Sequence, residues 1–337
     1  DRHVICFGAN PIGQSAQDRL LIRFSSQENP FFWTPTATNT AGDLRVGSGS
    51  EIITAVKTRR EMIVLTDTSV FSMQFIGPPF TFGINQLASS ITVRGFNTAV
   101  AVGDAVFWMG YDRFYIYDGR VQVIPCSVRD HVFQDFNETQ SDKVYAGVNS
   151  AFGEVFWFYP SQTNAVANGG SGENDKYVVY NYDQKIWYVG SLARSSWIDR
   201  GVYQYPMATD SNLVYNHEKG NDNDGTAFTS FIESSPIDVQ DGDQFIFLRR
   251  MIPDISFENS DSNISNDNKQ AVLSLKAQRS PNGGFVKTST NTVTSTTELN
   301  HLRLRGRSFG LRVESTTQGV NWRLGTQRVD LRADGDR

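Results

Sequence analysis

Apolar and polar residues alternate along most of this chain in short runs broken by Gly, Pro, Asn and Asp, the period of half-buried β-strands. The run Asp18-Arg19-Leu20-Leu21-Ile22-Arg23-Phe24 predicts a strand, and an aromatic loop at Phe31-Phe32-Trp33 follows it. Residues 61–65 and 70–75 predict paired strands joined by the polar turn Thr66-Asp67-Thr68-Ser69. Residues 106–109 and 114–117 pair across Gly110-Tyr111-Asp112-Arg113, and Asp118-Gly119 turns the chain back into 121–124. The pattern recurs at 154–159, 177–183 and 185–189, with a shorter echo at 212–220. Each repeat is an apolar strand, a turn, an aliphatic-tyrosine strand ending in Asn or Asp, and a return strand. Degenerate repeats of short antiparallel strands are the sequence form of β-propeller blades.

One helix is expected. Ser127 caps Val128 to Phe136, with Asp130 placed as in a capping box, and Val128, Val132 and Phe136 share a face. The loop 161–174, with Gly169-Gly170-Ser171-Gly172, reads as polar and flexible, either disordered or projecting towards a partner or a channel. After about Thr226 the texture changes to longer strands with one apolar and one polar face, interrupted by the Asn/Asp/Ser-rich stretch 259–270. The fold class expected is therefore all-β. Irregular propeller-like blades over 1–225 precede a C-terminal antiparallel β-sandwich or platform-like unit over 226–337.

Composition narrows the function classes. The 337 residues are 39% hydrophobic and 20% charged with a net charge of -5, which disfavours a dedicated nucleic-acid binder. No apolar run approaches a membrane span of about 20 residues. The polar opening Asp1-Arg2-His3 runs straight into a strand-like segment without an initiator Met, which suggests that more sequence precedes it. Cys6 and Cys126 lie in apolar surroundings and read as buried free thiols. His3, His131, His217 and His301 fall in separate segments without metal spacing, and no nucleophile elbow, phosphate loop or dinucleotide fingerprint occurs. Asn221-Asp222-Asn223-Asp224-Gly225 has calcium-loop composition but Gly220 and Phe231 at its first and twelfth positions, so a solvated turn is favoured. The chain reads as a non-enzyme without cofactor or metal.

Arg303, Arg305, Arg307, Arg312, Arg323, Arg328 and Arg332 crowd the C-terminal segment. With Leu302 and Leu304 inward, Arg303 and Arg305 share the outer face. A DNA-binding stripe is one reading, but interleaved acids favour ion pairs within or between subunits, with a solvated face close behind. Trp108, Trp157 and Trp187 read as core. Phe31, Phe32 and Trp33 cannot all point inward, and either anchor a partner or pack on an adjacent blade.

Several segments, in order, resemble the nozzle (tail tubular protein B, or tail-stabilisation) family of short-tailed bacteriophages. They are 1–10, Phe24-Ser25-Ser26-Gln27-Glu28-Asn29-Pro30, 75–82, Phe107-Trp108-Met109-Gly110, Tyr117-Asp118-Gly119 and Val128-Arg129-Asp130. Asn321-Trp322-Arg323-Leu324-Gly325 and Asp330-Leu331-Arg332-Ala333-Asp334-Gly335 complete the set, so the likeness spans nearly the whole chain. The resemblance implies propeller-type domains in a homohexamer below the tail adaptor ring, a channel for genome exit, and attachment of fibres or spikes. It places the protein in the virion after synthesis in the host cytoplasm. DNA then passes transiently without sequence-specific binding, and the acidic net charge agrees with a channel that does not hold phosphates. On this reading Asn168, Gly169, Gly170 and Asn263 belong to channel or tip loops, and the arginines from Arg303 to Arg328 hold subunits together. The alternative is a glycan-binding, lectin-like tail protein for host attachment; a glycan-degrading tail enzyme is third.

Overall fold

The computed structural model describes residues 2–239 and 242–335. Its elements are nearly all strands in antiparallel sheets, as the alternation predicts. The chain divides into two compact units, Asp1–Glu218 and Lys219–Arg337. This boundary precedes the change of texture at 226 because Asn221 already belongs to the second unit. Its side-chain amide donates to the Asn259 carbonyl at 2.9 Å and to Asp261 at 2.8 Å.

The first unit is five successive meanders. Sheet one holds β1 (Ile5–Phe7), β2 (Leu21–Phe24) and β3 (Gly42–Arg45). Sheet two holds β4 (Ile52–Lys57), β5 (Met62–Thr66), β6 (Ser69–Gly77) and β7 (Thr81–Ser89). Sheet three holds β8 (Ala99–Val102), β9 (Ala105–Met109), β10 (Phe114–Tyr117) and β11 (Val121–Ile124). Sheet four holds β12 (Tyr145–Asn149), β13 (Glu154–Tyr159), β14 (Lys176–Asn181) and β15 (Ile186–Ser191), and sheet five β16 (Ser196–Ile198), β17 (Met207–Asp210) and β18 (Leu213–Asn216).

The two-residue period explains how these sheets stack. On β9, Val106 and Trp108 pack towards sheet two, while Phe107 and Met109 pack towards sheet four. On β13, Val155, Trp157 and Tyr159 face sheet three, and Phe156 and Phe158 face sheet five. Both faces of a middle sheet are therefore apolar, and each pair of neighbours encloses its own core, the packing of propeller blades. The indoles tie these layers to main-chain carbonyls: Trp108 Nε1 to Thr92 at 3.2 Å, Trp157 to Thr98 at 2.9 Å and Trp197 to Val148 at 2.7 Å. Gly147 makes room for the last of these, since a Cβ there would lie 2.5 Å from Trp197 Cδ1. Asp118-Gly119 turns the chain as expected, with Gly119 at φ +106° and Tyr117 opposite Val121.

Several local expectations need correction. The first predicted strand begins only at Leu21, because Asp18 serves a turn, accepting from Leu20 N at 3.0 Å and pairing with Arg45. The helix α1 (Arg129–Gln134) starts with Val128 at its N-cap and no side-chain cap bond, so Ser127 does not cap it. The helix is also shorter than the expected 128–136: Phe136 lies beyond its C-cap Asp135 and bridges to Ser161, although Val128, Val132 and Phe136 do share one core. Both cysteines are free, but Cys6 is exposed and Cys126 only partly covered. On β1 the inward positions go to Ile5 and Phe7, and alternation turns Cys6 outward.

The second unit is a two-layer β structure. One sheet orders β19 (Ser230–Glu233), β26 (Ser308–Ser315), β23 (Gln270–Gln278) and β24 (Phe285–Thr294), with β20 (Ile237–Asp238) also on β26. The other orders β25 (Asn300–Gly306), β21 (Ile246–Ile252) and β28 (Arg328–Ala333), and β22 (Ile255–Ser256) pairs β27 (Arg323–Leu324) apart. Leu273, Leu275, Phe309 and Val313 meet Ile246, Leu248, Met251, Leu302 and Leu304 in one core. Leu302 and Leu304 thus point inward as the alternation requires.

Candidate functional site

The aromatic loop predicted at Phe31-Phe32-Trp33 connects β2 to β3 and is held by its own polar groups. Ser26 N donates to the Phe32 carbonyl at 2.8 Å, Phe31 N to Asn29 Oδ1 at 3.1 Å, and Trp33 Nε1 to the Pro30 carbonyl at 2.7 Å. Arg23 anchors the loop through the Trp33 carbonyl at 3.1 Å. These bonds leave Phe31 88% and Phe32 61% exposed. They do not pack on an adjacent sheet.

The β6–β7 tip carries a second apolar group, with Ile76 56% and Phe80 72% exposed beside half-exposed Phe75. The two loops are tied together. Thr81 Oγ1 donates to the Thr40 carbonyl at 3.3 Å, and Thr40 Oγ1 meets both Gln27 N at 2.8 Å and His3 Nε2 at 3.1 Å. The His3 ring packs against Phe75 and Phe82, with centroids 5.8 and 5.1 Å away. Partial burial lowers the His3 pKa, which favours the neutral ring at this link. Large aromatic rings displayed on hydrogen-bonded loops are the anatomy of a docking surface. The sequence singles out Phe31 and Phe32 but not Phe80, which falls there only within the 75–82 segment of the nozzle resemblance.

The first strands of four successive meanders, β4, β8, β12 and β16, line a cavity of about 670 Å³. Its walls include Lys57, Asn97, Trp197 and Asp199 among small apolar residues. This is the axial position of a propeller-like stack. None of the residues singled out from the sequence lines it.

The loop containing Asn168, Gly169 and Gly170 is not a slack linker. Val166–Asn168 form a 3-10 turn, Asn168 Nδ2 donates to the Gln162 carbonyl at 2.8 Å, and Asn164 Nδ2 reaches Ser171 and Glu173 at 3.0 Å. Asn168 and Gly169 remain exposed at its surface. Asn263 is also exposed, and neighbouring Ile264 packs into the second unit's core. The 221–225 segment is a turn in which Asp222 accepts from Gly225 N at 3.1 Å.

The arginines separate by role. Arg305 pairs with Asp334, and Arg312 pairs with Glu233 at 2.8 Å and Glu314 at 2.7 Å, all within the second unit. Arg305 and Arg307 also lie over the Phe245 ring, at 4.1 and 4.8 Å. Arg303, Arg323, Arg328 and Arg332 are exposed. Intramolecular pairing is thus realised for Arg305 and Arg312.

Two titratable clusters in the first unit were not legible in the sequence. Tyr188 Oη donates to Glu154 Oε1 at 2.5 Å, and Asn149 Nδ2 donates to Glu218 Oε1 at 3.1 Å. Burial, with the Glu218 charge nearby, pushes the Glu154 carboxyl up. Neither carboxylate lines the axial cavity. Beside them, buried Arg194 donates from Nε to His217 Nε2 at 2.8 Å, and the His217 ring lies 4.8 Å from Trp197. Burial and the Arg194 charge press His217 down to about 4. Because this pKa is depressed, its contribution to stability is present above pH 6.5 and lost as the pH falls through about 4. Denaturant titrations at pH 7 and pH 4 are expected to differ in this respect by about 2 kcal/mol after solvent screening. His217→Gln should flatten that part of the pH profile; an unchanged profile would remove His217 from the account.

No family model and no curated protein matches the chain. Among solved structures, one titled "Glycoside hydrolase" aligns over 96% of this chain and 94% of its own, at 10% identity and a TM-score of 0.28. That similarity is too low to carry an argument about fold or activity.

Proposed function

We propose that this protein is a structural component of a virion, the nozzle of a short non-contractile phage tail. It assembles as a homohexameric ring that conducts the genome and docks the adaptor ring and fibres or spikes. The observation that carries the reading is the aromatic surface at Phe31, Phe32, Ile76 and Phe80, held outward by hydrogen-bonded loops. Burying such rings against a partner gains about 25 cal/mol per Å² of apolar surface, so the patch has a standing drive to be covered. The nozzle resemblance along the chain supports the same role, because its 75–82 segment carries the exposed Ile76 and Phe80. Exposed Arg323 and Arg328 are available to pair with acids of a neighbouring subunit.

Light scattering on the purified protein should give a mass near six times its 37.7 kDa. A monomer at all concentrations that binds sugars saturably would instead favour the lectin-like alternative, with the same aromatic rings stacking on sugar.

A further inference from the structure

The net charge of -5 hides a local reversal in the second unit. A cleft of about 550 Å³ is lined by Phe247 on β21, Arg279 after β23, Lys287 on β24, Arg303 and Arg305 on β25, and Asp334 after β28. We propose that this cleft binds the phosphodiester backbone of nucleic acid.

The charge balance points that way. Asp334 neutralises Arg305, and Arg305 Nη2 also donates to the Asp334 main-chain carbonyl at 3.0 Å. Arg279 and Arg303 are exposed and make no ion pair among the described residues, and Lys287 Nζ donates only to the neutral Arg303 carbonyl at 3.0 Å. Three positive charges therefore converge on one concavity without an ion-pair partner among the described residues, the one acid in its lining, Asp334, being paired with Arg305. This suits a ligand carrying repeated negative charge better than a single carboxylate.

Backbone geometry supplies an independent observation. The three steps from His301 to Leu304 on β25 lie opposite the two from Leu248 to Arg250 on β21, which is a β-bulge. Within it Arg303 adopts φ +53°, a left-handed conformation costing a non-glycine residue on the order of 1 kcal/mol. Bulges of this kind re-aim side chains. Here the re-aimed residue is an arginine lining the cleft, and its carbonyl positions Lys287. Half-buried Phe247 adds an aromatic surface beside the cations, the pairing that single-strand grooves use. Contacts to the backbone alone carry no sequence preference and permit sliding. The site is thus compatible with DNA in transit, and its geometry does not depend on the ring.

Fluorescence polarisation of a short labelled single-stranded DNA, titrated with the whole protein over a range of salt, tests the site. Binding that weakens steeply with salt is expected. The double variant Arg279→Gln, Arg303→Gly should bind at least about 10-fold more weakly, with a salt slope smaller in magnitude by about 1.4 from two lost phosphate contacts. Glycine accepts the left-handed backbone at 303, so this variant keeps the fold while losing the charge. Arg120→Gln, at an exposed arginine of the first unit outside the cleft, should bind as the parent does. The proposal is overturned if no salt-dependent binding occurs, if the double variant matches the parent, or if polyglutamate competes as well as DNA, which would mark an acidic-peptide site. None of these results bears on ring formation, so this test and the ring reading fail separately.

Discussion

Trp157→Ala is expected to lower the unfolding free energy by about 3–5 kcal/mol, the range for removing a large aromatic from a packed core. Trp157 is 0% exposed and sits where sheets three and four meet, with its ring 4.9 Å from Phe114 and 6.1 Å from Trp187. Truncation empties that layer and leaves the Thr98 carbonyl without its indole donor, adding about 1 kcal/mol. Domains are stable by only about 5–15 kcal/mol, so much of the first unit's stability rests on this contact. Urea titration should show the midpoint falling sharply for Trp157→Ala and much less for Trp157→Phe. A loss below about 1 kcal/mol would mean that these sheets do not share the core described.

Serine at Phe31, Phe32 and Phe80 together should act oppositely, on assembly and not on stability. Exposed side chains away from strained or buried features change stability by about 0.5 kcal/mol or less. Truncating an aromatic anchor in an interface costs about 2 kcal/mol or more, roughly 30-fold in affinity per site. Sedimentation of the triple variant should show smaller species at concentrations where the parent assembles, with an unchanged urea midpoint. Full assembly by the variant would remove the patch from the interface.

The contrast between these predictions follows from what each residue reveals in sequence. Trp157 lies in Val155-Phe156-Trp157-Phe158, where unbroken apolar character marks a strand buried on both faces, and the hairpin turns at Gly110 to Arg113 and Asp118-Gly119 fix its neighbours. Phe31 and Phe32 were legible as a problem, three consecutive aromatics in a loop, though not their outcome. That outcome depends on Asn29, Pro30 and Arg23 holding the loop outward. Ser127 looked like a cap, but the chain enters α1 one residue later, and nothing local distinguishes the two registers. The basic cleft was illegible as a cleft because Arg279 and Lys287 flank the β23–β24 turn, whereas Arg303 lies midway along β25 and meets them only through tertiary folding. The bulge that turns Arg303 is encoded in the mismatch of two strands distant in sequence. Likewise, Glu154 and Glu218 come close only when β13 and the end of β18 are brought together.

Electron microscopy of the purified protein and of detached tails from particles that carry it tests the central claim most directly. The account predicts six-fold rings with a central channel and density for the same chain below the adaptor ring, with the aromatic loops at a contact. Monomeric particles, together with tails that contain no matching density, would contradict it.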